Sequence, residues 1–116
     1  MGYRAYRLKL KESKIKEYVD YHKKEKIWKS VIEGLINSGC EEMIIFLLDN
    51  EIVLFERAEN LKDMSKFLAS DPESIRWQKV MNEMFDSSVE FDIEKGDLEI
   101  EEVPIVFYLK GKTLLH

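Results

Sequence analysis

Tyr18 and His22 stand four residues apart on a stretch that reads as helix, so a phenol and an imidazole share one face about 6 Å apart. His22 is one of two histidines, the other being the chain-terminal His116. Imidazole is the side chain whose ordinary pKa suits proton transfer near neutral pH, which makes the pair a candidate for general acid–base chemistry with His22 as the acid. A lone helical histidine is more often a packing or surface residue, and so the elements that would position this one decide what it means.

The chain has 116 residues, enough to bury one core and too few for two, and residues 1–116 are expected to form a single domain. Apolar residues make up 45% and charged residues 35%, the profile of an ordered chain rather than a disordered one. No run approaches the ~20 apolar residues of a membrane span, and MGYRAYRLKLKE lacks the apolar stretch of a signal peptide. A cytoplasmic protein with no membrane partner is the expectation. Cys40 is the single cysteine, which excludes an internal disulfide and, with so few histidines, a structural zinc site; no metal or cofactor is expected. The net charge of −5 argues against nucleic acid, because phosphate binding relies on clustered Lys and Arg. The one local cluster, Lys23, Lys24, Lys26 and Lys29, is interleaved with Glu25 and reads as a solvated helix face.

Residues 3–10 alternate, with Tyr6, Leu8 and Leu10 on one side and Arg7 and Lys9 on the other, as a half-buried strand does. Ser13 is placed to cap a long helix running to about Asn37, stopped by Gly39. Its apolar stripes, Ile15, Tyr18, Val19, His22 and then Trp28, Val31, Ile32, Leu35, fall out of phase across Lys23 to Lys26, where a kink or bulge is expected. Met43 to Leu48 and Ile52 to Phe55 flank Asp49-Asn50 as an antiparallel hairpin. Asn60 caps a short helix, and Asp71-Pro72 starts another running to about Phe85. The acidic stretch 86–102 reads equally as a small hairpin or a loop, and Val103 to Leu109, with Pro104, as the last strand.

The order β-α-β-β-α-α-β predicts an α+β fold, a ferredoxin-like antiparallel sheet with helices on one face. Three strands are apolar at both parities, so the other face needs cover too, and a second copy supplies it: a two-fold homodimer of the dimeric α/β-barrel type is expected.

With the elements placed, the whole chain resembles the L-rhamnose mutarotase family. The residues that carry the likeness are Tyr18-x3-His22 followed by Ile27-Trp28, Gly39 before the second strand, Asp71 then Arg76-Trp77-x-Lys79-x-Met81, and Glu102-Val103 leading into Val106-Phe107-Tyr108-Leu109. The resemblance implies cofactor-free interconversion of the α and β anomers of L-rhamnose or a related monosaccharide. It implies His22 as proton donor, Tyr18 as a contact to sugar hydroxyls, and a tryptophan pair on the third helix, of which this chain keeps Trp77 and has Gln78 at the second position. The family's second-strand tyrosine falls at Met43, and the spacing from His22 to Ile27-Trp28 is two residues longer.

The residues themselves are compatible. Anomer exchange needs a proton delivered to the ring oxygen and one taken from the anomeric hydroxyl, and a sugar's C–H face and hydroxyl rim suit an indole such as Trp77 flanked by polar groups such as Tyr18 and Gln78. Read without the resemblance, Trp77 belongs to a core face with Val80, Met81, Met84 and Phe85; Trp28 and Met43 are core residues, and Cys40 has no role. A non-catalytic dimeric module that binds a small ligand or regulates is the alternative on the same fold, and a haem-degrading or monooxygenase dimer rests on fold analogy alone.

Overall fold

The computed structural model describes residues 2–86, 91–92, 97–98 and 102–114. Strand β1 (Gly2–Lys9) leads through a short 3-10 turn at Glu12–Lys14 into helix α1 (Ile15–Tyr21), and α2 (Lys29–Asn37) follows after a non-helical segment. Strands β2 (Cys40–Leu48) and β3 (Glu51–Ala58) form the hairpin, and α3 (Leu61–Ser70) and α4 (Pro72–Asn82) come next. Two-residue strands complete the described chain: β4 (Phe91–Asp92), β5 (Asp97–Leu98), β6 (Glu102–Val103), β7 (Leu109–Lys110) and β8 (Thr113–Leu114).

The main sheet is antiparallel in the order β2-β3-β1-β6, the ferredoxin-like arrangement. Tyr6, Leu54 and Ile45 lie abreast in the register, as do Arg4, Glu56 and Met43, and this parity faces the helices. The opposite parity holds Ala5, Phe55 and Ile44, then Arg7, Val53 and Phe46. Here Ile44, Phe46, Leu48 and Val103 are exposed, so the sheet has one face covered and one apolar face open within a single chain.

Local chemistry sets the joints. Asp49 takes a positive φ of 54° at the hairpin tip, and Asn50 ties that tip to Leu10 at the end of β1, its backbone carbonyl accepting from Leu10 N–H at 2.7 Å. Gly39, at φ 91°, ends α2 where a side chain would be strained. Asn60 accepts from Asp63 N–H at 3.0 Å and Asp71 from Ser74 N–H at 3.1 Å, so both predicted caps form.

Four expectations need correction. The long helix is two helices: Lys23 to Lys26 carry no apolar group to bury and are exposed, and only a single turn, with Ile27 N–H donating to Lys23 C=O at 2.8 Å, survives between them. Ser13 makes no cap; it sits inside the 3-10 turn that precedes α1. The last strand is also not continuous over Val103 to Leu109. After Glu102–Val103 the chain leaves β1 at Pro104, which has no N–H to donate to the ladder, and pairs again only as the β7–β8 turn. Helix α4 stops at Asn82, three residues short of the expected end, and Phe85 instead bridges to Leu10. Within the acidic stretch Phe91 pairs with Leu98 and Asp92 with Asp97, a hairpin pairing; the intervening Lys95-Gly96 turn lies outside the described residues, and β5 lies against α3 rather than over the open face.

Candidate active site between helices and sheet

Between the helices and the covered face of the sheet lies a cavity of about 150 Å³. A single buried water needs roughly 10–15 Å³ of such space, so this one fits a ligand. The sheet supplies Tyr6, Leu8, Met43, Ile45, Leu54 and Glu56. Helix α2 adds Val31 and Leu35, one turn apart, and α4 adds Ser74, Trp77, Gln78 and Met81 from one face. Tyr18 and His22 close the end nearest Phe85.

His22 is the C-cap of α1, and the broken helix is what places it there. Its ring Nδ1 lies 2.7 Å from the Tyr18 carbonyl oxygen, in the last turn of the helix, where side chains commonly donate to the terminal carbonyls. Because a carbonyl can only accept, Nδ1 carries the proton, and Nε2 is the nitrogen left for a ligand. The ring also packs on two aromatics, its centroid 4.3 Å from that of Tyr18 and 5.3 Å from that of Trp77. Burial pushes the His22 pKa below its ordinary 6.5, with the Tyr18 carbonyl partly opposing it, so neutral imidazole prevails at neutral pH. Burial pushes the Tyr18 phenol well above the ordinary tyrosine range, which makes it a hydrogen-bonding group and not a proton exchanger.

Trp77 is the hub of the aromatic end. Tyr21, His22 and Trp28 each meet it edge to face, at 5.8, 5.3 and 5.0 Å between centroids. Trp28 is half-buried and precedes α2, braced by the Arg76 guanidinium 4.2 Å above its ring; it belongs neither to the core, as its sequence context predicts, nor to the pocket wall, and instead holds Trp77 from behind. Gln78 donates from Nε2 to Asn82 Oδ1 at 2.8 Å, which fixes its amide along the wall. Ser74 is positioned by Asp71, whose Oδ2 accepts from its hydroxyl at 2.7 Å. Gly34 lets α2 approach this joint, since a Cβ there would stand 3.0 Å from Asp71 Oδ2 and 3.1 Å from Ser74 Oγ.

All four site residues singled out in the sequence, Tyr18, His22, Trp77 and Gln78, line this one cavity. Met43, expected in a strand core, is half-buried on its wall. Sequence reasoning missed Tyr6, Ser74 and above all Glu56, a carboxylate at an inward position of β3. The signal was there: Arg4 shares the parity of Tyr6 and Leu8, and Glu56 that of Ile52 and Leu54, so two charges stand on apolar faces. Among the described residues no His, Cys, Asp and Glu side chains converge as metal ligands would, and no helix is long and apolar enough to cross a membrane.

The family model described as L-rhamnose mutarotase matches residues 4–109. The chain belongs to the L-rhamnose mutarotase family. The same architecture occurs in the crystal structure of L-rhamnose mutarotase from Formosa agariphila, with a TM-score of 0.71 at 18% identity, covering 95% of this chain and 100% of that one. A comparison with curated proteins gives no match. Membership in the L-rhamnose mutarotase family makes the activity that of an isomerase, the interconversion of sugar anomers, and the ferredoxin-like fold expected from the order of elements stands.

Proposed function

We propose that this chain acts on L-rhamnose or a closely related monosaccharide in the cavity between α1, α2, α4 and the sheet, with His22 as its proton-transfer residue. The observation that carries this is the seat of His22: Nδ1 tied to the Tyr18 carbonyl, the ring held against Trp77, and Nε2 left to meet a ligand in a cavity of ligand size. The C–H face of the sugar lies on the indole of Trp77, and Tyr18 and Gln78 contact hydroxyls.

Ring opening transfers the anomeric hydroxyl proton to Nε2 of neutral His22 as the bond from C1 to the ring oxygen breaks; water protonates the ring oxygen. The aldehyde rotates about the C1–C2 bond. On closing, the ring hydroxyl attacks the other face of C1 and releases its proton to water, while the His22 imidazolium returns its proton to the former aldehyde oxygen. His22 is thus base in one half of the cycle and acid in the other, and no atom or charge is left over. No cofactor is needed for this sequence.

We also infer a homodimer that buries the open sheet face, and a cytoplasmic setting, where an unpaired thiol such as Cys40 stays reduced. Ile44, Phe46 and Leu48 on β2, with Val53 and Phe55 beside them, make a contiguous apolar surface of the kind monomers rarely leave wet. The test of the activity is anomeric exchange, followed by NMR or polarimetry over a panel of L-rhamnose, L-fucose, D-ribose, D-galactose and D-glucose. Acceleration over buffer is expected, strongest for L-rhamnose or a near relative. If no sugar's exchange accelerates at high protein concentration, the reading is lost and a non-catalytic binding module takes its place.

A further inference from the structure

We propose that Glu56, oriented by Arg4, is a specificity-determining residue that accepts hydrogen bonds from sugar hydroxyls remote from the reacting carbon; this rests on the sugar reading above. Glu56 lines the cavity yet is 2% exposed, and its carboxylate pairs with Arg4 Nε, while Arg4 NH2 donates to the Ser65 hydroxyl on α3. The Arg4 guanidinium also lies 5.0 Å from the centre of the Tyr6 ring, another wall residue. A buried ion pair of this kind is seldom the most stable filling of its space, since well-packed apolar side chains of similar volume are often neutral or better. Its position on a ligand-sized cavity gives it a use that stability does not. An ionised carboxylate has about four acceptor sites, so pairing with Arg4 and accepting from hydroxyls are compatible.

The register says where it acts. Glu56 stands directly opposite Met43 on the same face, and a thioether accepts hydrogen bonds only weakly. The carboxylate therefore supplies the strong polar contact for that patch of wall. Along β3 it is four residues from Ile52, which packs with Tyr18 and Phe85, so roughly 13 Å of strand separates it from the His22 end. A sugar presenting its anomeric carbon to His22 turns its far hydroxyls toward Glu56.

The experiment compares the parent with the double variant Arg4→Met/Glu56→Leu, which removes both charges and leaves neither stranded, and with Glu56→Gln. The double variant is expected to fold, with KM for L-rhamnose raised about 10- to 100-fold, the loss of a hydrogen bond to a charged group, and kcat lowered less than threefold. Removing a remote hydroxyl, in 3-deoxy and 4-deoxy analogues, should raise KM for the parent and not for the double variant. Glu56→Gln should retain part of the affinity if it folds. A parental KM in the folded double variant, with the analogue penalty intact, overturns the proposal while leaving the mutarotase reading standing. If the parent binds sugar without exchanging it, Kd replaces KM in the same comparison; if it binds no sugar, both fall together.

Discussion

Replacing His22 separates its chemistry from its packing, and the structure gives both magnitudes. His22→Ala removes two aromatic contacts, at 4.3 and 5.3 Å, worth about 0.5–1.5 kcal/mol each, and one hydrogen bond worth about 0.5–1.5 kcal/mol. At about 4 °C per kcal/mol for a chain of this size, Tm should fall by roughly 6–18 °C. His22→Asn sets an amide nitrogen where Nδ1 stood, so the bond to the Tyr18 carbonyl survives and the loss is smaller by the hydrogen-bond share. Neither variant can move a proton near neutral pH, and both should lower the exchange rate by about 10² to 10⁴. The assay is saturation transfer between the two anomeric proton signals of L-rhamnose at neutral pH, beside a thermal melt. Added imidazole should restore part of the rate to the Ala variant, whose cavity admits it, and less to the Asn variant. A folded Asn variant with the parental rate would refute the assignment, as would rates that follow Tm and ignore the side chain.

Further outcomes follow from the same geometry. Because burial depresses the His22 pKa and the neutral ring enters the cycle as base, kcat/KM should rise as pH climbs through a value below 6.5 and then level off; a profile that falls across that range would make the imidazolium the entering species. The same depression means the unfolded chain binds this proton more tightly, so the contribution of His22 to stability is complete above pH 6.5 and declines as the pH falls, which urea titrations at two pH values would read. Light scattering should give twice the chain mass of 13.8 kDa; Ile44→Lys, on the open face, should halve it, whereas Ile45→Lys drives an ammonium into the cavity wall and should abolish sugar binding or folding. Asp71→Ala should cost about 1–2 kcal/mol in a denaturant melt, because it strips both the cap of α4 and the hydroxyl bond that seats Ser74.

What the sequence discloses here depends on whether the signal is local. The period-two alternation of β1, the Asp49-Asn50 tip, the Asn60 and Asp71 caps and the Gly39 stop are all decided within a few residues, and each lies where its chemistry predicts. The break after Tyr21 was visible only as a loss of phase. Periodicity says that two stripes disagree; whether the helix bends or ends depends on what the sheet and Trp77 offer the side chains on either side. Trp28 misleads for the same reason, since its apolar neighbours suggest a helical stripe that begins only one residue later. Tyr18 and His22 could be chosen because spacing and residue type mark them, whereas Trp77 and Gln78 are singled out only by the family resemblance, the apolar neighbours of Trp77 reading as core. Arg4 and Glu56 each stand on an apolar parity in the sequence, but only the pairing of β1 with β3 shows that the two charges are partners.

The wall of the cavity runs from Tyr6 to Phe85, and two of its strands meet late: Ala5 on β1 pairs with Phe55 on β3, after the intervening helices and β2 have been made. The β2–β3 hairpin can close on its own within microseconds, but β1 must wait for it, and contacts of such long sequence separation are what slow the folding of mixed α/β chains. During synthesis, at about 5–20 residues per second, several seconds pass in which the first strand has emerged without the partners that will enclose a sugar. Every lining residue lies between Tyr6 and Phe85, so sugar cannot guide the stages before β3 and α4 have emerged. It binds the folded state and stabilises that state by mass action, which makes saturation with ligand a readout of chains in which β1 has joined β3.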